Sequence, residues 1–577
     1  MIEPRYGVLQ TLFADRVFRI PHYQRFYSWQ KRQREDLFND LKKLATGRED
    51  QHHFMATIVC HRTAETKDVG AVQYRIYDIV DGQQRLTTLI LLLKCIELAL
   101  PDASEDRRDL ARTLVKRDGH LILLQTNNAN ELIFNRFIRE GTAPSKADIE
   151  THSDRNLASA IRECGQFVES WKASQDILSL MRLVLHRLGF VVFDTEDSRI
   201  VYTIFEVLNS RGLAVDWLDK TKSVLMGRMY ELSSSREATE AEIGTLQGIW
   251  SQIYREIAKE DVPGEEILRI TATLYYGPGQ GKPRSAEESL DLLRKEADSF
   301  EKPRRISTRL LDVARKVVEL YASTHLGPVT EILHARLLAV ALKSATGVNE
   351  NERRKLLEQW ERVTFRIFGL FDKDSRTKVG DYVRLAAKIV TEDLQTRTYN
   401  QIMAGLRDLG REYPIDEALK EGVIGKDCYD HPEECRYLLW SYEEHLAEEL
   451  GGGATVDEHV KAGIWKIRAA DSIEHIFPQT PGAAWRNKMR RGDGPLEPIE
   501  PNVGRIGNLL LLPLQLNQEA QNFPFDSDKQ KNKKEIYAKH NLRMVQEVCK
   551  ESDWTLSEIG AREAKIVDWA RNRWSDI

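Results

Sequence analysis

The pattern of hydrophobic and polar positions changes its period around a short stretch near residue 80. Residues 74–80 are mostly apolar and rich in β-branched and aromatic side chains, which predicts a buried strand. From Gln83 onward the apolar residues recur at intervals of three and four, which predicts the buried face of a helix. These residues are Leu86, Leu89, Ile90, Leu93, Ile96 and Leu100. Between the two patterns, Gly82 permits a tight turn and Asp81 can cap the helix.

Other short apolar runs predict the rest of a small sheet. Residues 54–60 and 188–193 have the length and composition of buried strands, and the polar residues 63–69 predict a loop. Ser28 is placed to cap a helix. The buried face of that helix is predicted to include Leu37, Leu41 and Leu44.

The remainder of the chain has mainly helical periodicity, so we predict an α+β protein that is mostly helical. Residues 233–450 show few strand signals, and three consecutive glycines at 451–453 predict a flexible joint. We therefore divide the chain into an N-terminal domain (1–235), a helical connector (236–450) and a C-terminal domain (451–577).

The turn near residue 80 carries side chains that suit an anion. A strand that turns sharply into a helix leaves free backbone N–H groups at the helix start, which attract negative charge. Gln83 and Gln84 add two carboxamides there, and Arg85 adds a guanidinium that can hold phosphate oxygens with two parallel hydrogen bonds. The alternative is a capped, buried helix whose polar first turn is only solvated.

Two further segments combine polar and aromatic residues in patterns that suit a nucleotide. Gln24 and Arg25 lie among four aromatic residues within 23–29, a mixture that suits stacking and hydrogen bonding to a base or sugar-phosphate. The alternative is an N-terminal arm that packs its aromatic rings into the core. Asn209 and Arg211 precede Gly212, which is suited to end a helix, and the alternative there is an elbow between helices with an exposed arginine.

Together these three segments resemble the DUF262 family. The matching patterns are Pro-x-Tyr-Gln-Arg-x-Tyr-x-Trp at 21–29, Asp-Gly-Gln-Gln-Arg-Leu-Thr-Thr-Leu at 81–89 and Phe-x-x-Leu-Asn-x-Arg-Gly at 205–212. The resemblance implies a ParB/sulfiredoxin-like α/β domain that binds and hydrolyses a nucleoside triphosphate, with GTP as the expected nucleotide. The nucleotide-binding residues implied are Asp81, Gly82, Gln83, Gln84, Arg85, Gln24, Arg25, Asn209 and Arg211.

Composition restricts the cellular setting and the partners. Six scattered cysteines fit a reducing cytoplasm rather than a disulfide framework, and no secretory signal pattern or membrane-length apolar run is present. We therefore expect a cytoplasmic protein with no membrane contact. Because the formal net charge is −5, any nucleic-acid contact must use a local basic patch.

A second group of candidate residues lies near the C-terminus. Glu474 and Asn517 offer hard oxygen ligands for Mg²⁺ or Mn²⁺, and His475 can take a proton from water near neutral pH. Asn508 is expected to hold the intervening loop by hydrogen bonds rather than to touch a metal ion. A Glu-His pair alone says little, because such a histidine is more often an ordinary surface or core residue.

The order of these residues resembles the DUF1524 branch of the HNH (ββα-metal) nucleases. That family has an acidic-His-Ile-x-Pro strand, here at 474–478, then an Asn-Leu strand at 508–509 and a helix with an Asn or His ligand. The resemblance implies catalytic roles for His475, Glu474, Asn517 and Asn508, with Glu474 and Asn517 on the metal. The family's usual leading Asp is Glu in this chain. Basic residues at 485–491 and 529–534 can meet phosphates or can simply be solvated.

DUF262 followed by DUF1524 is the arrangement of GmrSD-type (type IV) restriction enzymes. The resemblance implies a nucleotide-regulated, metal-dependent DNA endonuclease or nickase of anti-phage defence that acts on double-stranded, modified phage DNA. Two alternatives stay open: a nucleotide-switched DNA-binding protein without cleavage, and a nuclease toxin without discrimination. A homo-oligomer is compatible with each of them.

Overall fold

The chain divides into two compact units. One comprises Met1–Tyr276 with Arg284–Val318, and the other comprises Gly277–Pro283 with Glu319–Ile577. The computed structural model describes residues 5–14, 16–21, 24–47, 53–69, 72–116, 121–126, 131–149, 151–197, 216–233, 236–260, 262–277, 281–323, 326–391, 398–449, 458–482, 485, 500–528 and 530–577. In these ranges the protein is mostly helical with a mixed sheet, as the sequence predicts.

The first unit is built on a six-stranded mixed sheet with the strand order β1-β8-β3-β4-β2-β7. Its strands are β1 (Arg5–Val8), β2 (Arg16–Arg19), β3 (His53–Val69), β4 (Val72–Asp81), β7 (Leu124–Gln125) and β8 (Leu188–Thr195), while β5 (Val115–Lys116) and β6 (Leu121–Ile122) form a separate pair. The central strand β4 runs antiparallel to β3 and parallel to β2. The predicted strands at 54–60, 74–80 and 188–193 are confirmed.

The predicted loop at residues 63–69 is wrong. These residues continue β3 and pair with the start of β4, for example Thr66 with Arg75 and Val69 with Val72. Their polar side chains are largely exposed because this end of the hairpin extends beyond the core, so polarity there does not indicate a loop.

Helices of the first unit surround the sheet. Their bounds are α1 (Leu9–Phe13), α2 (Lys31–Thr46), α3 (Gln83–Ala99), α4 (Glu105–Leu114), α5 (Glu131–Glu140), α6 (His152–Lys172), α7 (Ile177–His186), α8 (Trp217–Leu232), α9 (Arg236–Ile257), α10 (Gly264–Thr271) and α11 (Ala286–Glu296), and α12 (Lys302–Ala322) follows. Leu37, Leu41 and Leu44 of α2 are buried as predicted, but α2 begins at Lys31 and Gln30, not Ser28, holds the N-cap position.

The turn between β4 and α3 follows the sequence prediction with one correction. Gly82, rather than Asp81, holds the N-cap position of α3, with a left-handed φ of 93°. A Cβ atom there would lie 3.3 Å from Ile58 Cγ1 and 3.4 Å from the Thr57 carbonyl oxygen, so a larger residue would meet both strain and crowding. Asp81 ends the strand instead. The helix is buried around most of its circumference, which fixes the position of its first turn.

The second unit is helical apart from one short hairpin among the described residues. Its helices are α13 (Gly327–Thr330), α14 (Leu333–Ser344), α15 (Glu350–Thr364), α16 (Val379–Thr391), α17 (Tyr399–Leu409), α18 (Ile415–Gly422), α19 (Pro432–Glu449), α20 (Glu458–Trp465), α21 (Ala469–Ser472), α22 (Glu500–Val503), α23 (Leu514–Ala520), α24 (Lys533–Tyr537), α25 (Arg543–Cys549) and α26 (Leu556–Arg573). Strand β9 (Ile473–His475) pairs antiparallel with β10 (Leu509–Leu511). None of the described helices is both long and apolar enough to cross a membrane.

A buried carboxylate in the second unit makes its stability depend on pH. Glu443 of α19 accepts hydrogen bonds from the backbone N–H groups of Arg543 and Met544 at 2.7 and 2.8 Å. Burial nevertheless raises the pKa of Glu443 to about 7. The unfolded chain releases the Glu443 proton near pH 4.3, whereas the folded protein keeps it up to about pH 7. The contribution of Glu443 to the free energy of unfolding is therefore largest below pH 4.3 and falls by about 3 kcal/mol as the pH rises to 7.

Glu443→Gln is expected to remove this loss, because the amide carries no charge at any of these pH values. Relative to the wild type, the variant gains about 3 kcal/mol between pH 4.5 and pH 8, measured by denaturant unfolding at both pH values. Glu448→Gln, an exposed change on the same helix, is the control. Equal pH dependence in wild type and Glu443→Gln would show that Glu443 titrates normally.

Candidate functional sites

The structure brings the N-terminal arm and the strand-to-helix turn together. Gln24 is 3% exposed, and its Nε2 donates to the Val80 carbonyl oxygen at 3.1 Å, at the end of β4. Residues 24–30 and 81–85 line one cavity of about 980 Å³. This volume is at the upper end of the range of small-molecule sites. His22 and Tyr23 lie outside the described residues.

Gln83 and Gln84 hold the arm through its backbone. Gln84 Nε2 donates to the Phe26 carbonyl oxygen at 3.0 Å, and Gln84 Oε1 accepts from the Ser28 N–H at 2.9 Å. Gln83 Nε2 donates to the Arg25 carbonyl oxygen at 3.2 Å. The amide of Gln84 is therefore used in positioning the arm, which differs from its predicted role at a phosphate. Gln83 Oε1 is buried without a hydrogen-bond partner in the described part of the chain and lines the cavity.

Helix α8 supplies charged residues that pair with the arm. Arg25 Nε lies 3.2 Å from Asp219 Oδ2, and Arg25 Nη1 lies 3.8 Å from Asp216 Oδ2. Lys222 Nζ donates to Gln24 Oε1 at 3.2 Å. These contacts place the arm between the first turn of α3 and the first turns of α8.

The charges in this network are shifted by their surroundings. Burial opposes the charge of Arg25, but the carboxylates of Asp219 and Asp216 outweigh it and raise the pKa of Arg25. Burial lowers the pKa of Lys222 to about 8. It also raises the pKa values of Asp81 and Asp216. Groups shifted in this way around one cavity are typical of functional sites.

Arg85 is a third cation at the cavity, beside Arg25 and Lys220. It lies half-buried in the first turn of α3 and lines the cavity, and it donates no hydrogen bond to a described residue. Its guanidinium is therefore available to a bound anion. Asn209 and Arg211, also predicted at the nucleotide, lie outside the described residues, and their assignment stays a prediction.

In the sequence, the DUF262-like pattern at 205–212 is followed by Asp219 and Lys222 within 218–222, but this pattern gave them no role, and no sequence feature pointed to Tyr254. Tyr254 of α9 donates a hydrogen bond to Asp219, so all three belong to the network around the arm. The spacing of Asp219 and Lys222 is visible in the sequence, because residues three apart share one face of a helix. Both charged side chains are buried in the structure, and buried charges are rare unless they are paired.

In the second unit, the candidate histidine lies at the end of β9. His475 is 7% exposed, pairs with Leu509 across the hairpin and contacts the ring of Tyr429 edge-on at 4.5 Å between centroids. Its Nε2 is buried, with no hydrogen-bond partner among the described residues. Burial, with a smaller contribution from the charge of Lys533, lowers the pKa of His475 to about 4. The imidazole is therefore neutral at pH 7 and keeps a free lone pair.

Glu474 does not lie where a metal ligand was predicted. Successive residues of a strand point to opposite faces, so its side chain faces away from that of His475. Its Oε1 accepts from Lys533 Nζ at 2.6 Å and from the Tyr537 hydroxyl at 2.8 Å, both on α24. Lys533 Nζ also donates to the His475 carbonyl oxygen at 2.6 Å. Glu474 and Lys533 thus form a buried ion pair that fixes the end of β9.

The two asparagines hold backbone. Asn508 Nδ2 donates to the carbonyl oxygens of Phe477 and Val503 at 2.9 and 2.8 Å, and its Oδ1 accepts from the Phe477 N–H at 2.7 Å. These bonds agree with its predicted role in holding the loop. Asn517 Nδ2 donates to the carbonyl oxygens of Asp471 and Ile473 at 2.8 and 3.1 Å, which ties α23 to β9.

The predicted metal ligands do not form a metal centre in this arrangement. Lys533 already neutralises Glu474, the one carboxylate of the predicted pair, while the Asn517 bonds engage its amide nitrogen and not the oxygen that would bind a metal. In the ranges that the structure describes, no group of three or more His, Cys, Asp or Glu residues is placed to hold a metal ion. The donor set therefore does not fit Mg²⁺ or Mn²⁺ as it stands.

The structure describes only part of the two predicted basic segments. Trp485 is 1% exposed and donates to the Phe523 carbonyl oxygen at 2.9 Å, and residues 486–491 lie outside the described residues. In the second segment, Lys533 is fully buried, whereas Lys531 and Lys534 remain at the surface.

The buried pair gives a stability prediction. Lys533→Met is expected to destabilise the second unit by about 3–5 kcal/mol, because it leaves the Glu474 carboxylate buried without its counter-ion. Denaturant unfolding followed by tryptophan fluorescence measures the change. Adding Glu474→Gln to Lys533→Met is expected to recover part of the loss.

Lys531→Met is the matched control for this change. Lys531 is 45% exposed and pairs with Glu519, and surface ion pairs contribute at most about 1 kcal/mol. If Lys533→Met and Lys531→Met are equally stable, the buried pair does not hold the hairpin.

Comparison with protein families matches both halves of the chain. The model of the GmrSD restriction endonuclease N-terminal domain matches residues 9–226, and that of the GmrSD restriction endonuclease C-terminal domain matches residues 413–569. The chain belongs to the GmrSD-like type IV restriction endonuclease family. The first match contains the arm and the turn at Gly82, and the second contains the hairpin with His475. A comparison with curated proteins gives no significant match.

Membership of the GmrSD family makes DNA the expected substrate class. The matched domains contain the motif residues of both candidate sites, whereas Tyr254 and the cavity lining at 257–265 lie beyond the first match. The matches leave residues 227–412 between them, and the secondary-structure elements described in that stretch are all helices.

Proposed function

We propose that this chain is a nucleotide-regulated DNA endonuclease that restricts modified foreign DNA in anti-phage defence. The observation that carries the proposal is that each matched family domain holds the motif residues of one polar cluster, which line a cavity in the N-terminal domain and include a buried imidazole in the C-terminal domain. The N-terminal cluster lines a cavity of about 980 Å³, and the C-terminal cluster presents His475 Nε2 without a partner among described residues. At the level of fold, we assign these domains to the ParB/sulfiredoxin-like and HNH classes.

In the N-terminal cavity, we assign a nucleoside triphosphate, with GTP expected, as a complex with a divalent cation. Among the described lining residues, carboxylates outnumber cations, so a bare triphosphate would be repelled. A cation carried by the phosphates offsets this charge, and Arg85 can bind the phosphate oxygens. Trp29 and Trp217 also line the cavity and offer faces for stacking a base.

In the C-terminal domain, His475 acts as the general base. Its neutral imidazole takes a proton from the water that attacks phosphorus, while Glu474, Lys533 and Asn508 hold the strand and loop around it. A pKa near 4 makes a weak base, but the negative charge of an approaching phosphate raises the pKa of a histidine. DNA binding itself would thus strengthen the base.

We also propose that cleavage requires Mg²⁺ or Mn²⁺. The family resemblance supports this requirement, whereas the positions of Glu474 and Asn517 do not, so no chemical step is assigned to the ion. The ion pair of Glu474 with Lys533 specifically favours a second candidate, a nucleotide-switched DNA-binding protein that does not cut.

One experiment separates these candidates. Modified and unmodified phage DNAs are incubated with the protein, Mg²⁺ and each nucleoside triphosphate in turn, and the products are resolved on native and denaturing gels. Cleavage of modified DNA that depends on nucleotide is the expected result. Binding without cleavage supports the second candidate, and equal cleavage of all DNAs supports a toxin.

A further inference from the structure

A second polar cavity in the first unit is separate from the nucleotide cavity. It measures about 900 Å³, and the two cavities share no described lining residue. One wall is a face of α9 that includes Gly244, Gln247, Gly248, Ser251 and Arg255, which recur at helical spacing. The opposite side includes the end of β2, the segment around Thr126 and helix α5.

The chemistry of the wall suits a nucleic-acid backbone. Its described lining contains arginine, lysine, glutamine, asparagine, serine and threonine and no aromatic side chain. These side chains make most phosphate and sugar contacts in protein–DNA complexes, whereas an unstacked base needs an aromatic or similar flat surface.

The charge balance in the cavity is positive although the whole chain is negative. The described lining includes Arg19, Lys67, Arg139 and Arg255 but only two acids, Asp78 and Glu131. Arg19 is paired with two carboxylates, Asp78 Oδ1 at 2.6 Å from its Nε and Glu65 Oε2 at 2.8 Å from its Nη1, so it adds nothing to the excess. The remaining formal charges of the lining are Lys67, Arg139 and Arg255 against Glu131. The formal net charge of the chain is −5, so this local excess is the kind of patch that phosphate binding requires.

Two glycines lie on the same face of α9, and close packing against other described residues does not explain why either is glycine. A Cβ at Gly244 or Gly248 would meet no atom within 4 Å, and neither residue has a left-handed φ. Glycine in a helix is less stable than alanine by roughly 1 kcal/mol, so two of them one turn apart weaken α9. Their effect is an open backbone surface that a bulky external group can approach closely.

Two buried polar atoms in the wall also lack partners. Thr126 Oγ1 and Asn135 Oδ1 have no hydrogen-bond partner among the described residues. Neither atom has exposed surface, so each would need a bridging water rather than a direct bond to a phosphate oxygen.

We propose that this cavity docks the sugar–phosphate backbone of DNA, so that the N-terminal unit grips the substrate at a site other than the nucleotide cavity. From Gly244 to Arg255 the helix face is about 16 Å long, which spans more than one phosphate of a DNA strand. The inference rests on DNA being the substrate in the proposed function. The proposed DNA contact is additional to the nucleotide site and is not implied by either family match.

The test measures DNA binding without cleavage. The full chain is titrated against a short fluorescein-labelled duplex, modified or plain, in EDTA at several salt concentrations, and anisotropy gives the affinity. Arg255→Gln is expected to weaken binding about five- to tenfold and to reduce the salt slope by about 1. Gly248→Leu fills the cavity and is expected to weaken binding at least tenfold. Its new side chain starts in open space, so the fold is kept.

Each variant has a matched control in the same unit. Arg112→Gln removes an arginine on α4 that is 72% exposed, and Gly165→Leu adds a side chain to another helical glycine with no atom within 4 Å of its Cβ position. Neither control residue lines the cavity. Both controls are expected to bind DNA as the wild type does.

The outcomes separate this inference from the proposed function. If the wild type binds DNA and neither Arg255→Gln nor Gly248→Leu differs from its control, the cavity is not a DNA site and the proposed function stands. If the wild type binds no duplex in EDTA, the titration is repeated with Ca²⁺ and a nucleoside triphosphate, and absence of binding there as well overturns both. Loss of nucleotide turnover with unchanged DNA affinity would identify the cavity as a site for a free nucleotide and overturn the DNA assignment.

Discussion

His475→Ala is expected to lower DNA cleavage by about 10²–10⁴ while leaving nucleotide hydrolysis unchanged. The loss follows from removal of the general base, whose Nε2 has no other partner among the described residues. Nucleotide hydrolysis is kept because the candidate nucleotide cavity belongs to the other unit. Cleavage is measured on modified DNA by gel, and hydrolysis is measured by phosphate release from the same preparation.

His431→Ala is the control for this prediction. His431 is also in the second unit but is 52% exposed, and its Nε2 lies 3.9 Å from Asp372 Oδ2. It is expected to cut DNA at the wild-type rate. Wild-type cleavage by folded His475→Ala would remove the HNH assignment and leave the binding protein as the better description. Loss of both activities would point to misfolding of the variant, which circular dichroism detects.

The spacing of hydrophobic residues was sufficient to predict the strand and the helix that flank the N-terminal cavity. The strand at 74–80, the helix from Gln83 and the left-handed turn at Gly82 all follow from residues that are adjacent in the sequence. The polar residues 63–69 were misread because they lie in a strand with exposed faces, where β pairing rather than burial maintains the structure. Polarity alone does not separate such a strand from a loop.

The partners of the site residues could not be predicted in the same way. Gln84 uses both ends of its amide on the arm, and Glu474 is neutralised by Lys533. In each case the two partners are more than 50 residues apart, so neither composition nor local spacing reveals the contact. The basic run that contains Lys533 was predicted to meet phosphates or to be solvated, yet Lys533 is fully buried at the start of α24.

These contacts change what each motif residue is expected to do. Gln84 and Asn508 use their amides on backbone groups, so their replacement is expected to disturb structure first and activity as a consequence. Arg85 and His475 have side-chain atoms with no described partner, so their replacement is expected to disturb activity first. The distinction can be tested most directly at two neighbouring positions in the first turn of α3.

Arg85→Ala is expected to lower nucleotide turnover about ten- to a hundredfold with little change in the free energy of unfolding. A charged hydrogen bond to phosphate contributes roughly 1.5–3 kcal/mol, and Arg85 makes no hydrogen bond to a described residue that the fold would lose. Phosphate release under saturating Mg²⁺–nucleotide measures turnover, and denaturant unfolding measures stability. Arg85→Lys is expected to keep only part of the activity, because an ammonium cannot reproduce the two parallel hydrogen bonds of a guanidinium.

Gln84→Ala at the neighbouring position is the comparison, because it is expected to lower stability as well as turnover. It leaves the Phe26 carbonyl and the Ser28 N–H without their partner, at a cost of roughly 1–3 kcal/mol for each buried group, so stability falls together with turnover. If folded Arg85→Ala turns over nucleotide at the wild-type rate, the guanidinium does not bind phosphate and the cavity is not the nucleotide site. If Arg85→Ala instead loses as much stability as Gln84→Ala, the first turn of α3 is a structural cap, and the polar residues there have no direct part in binding.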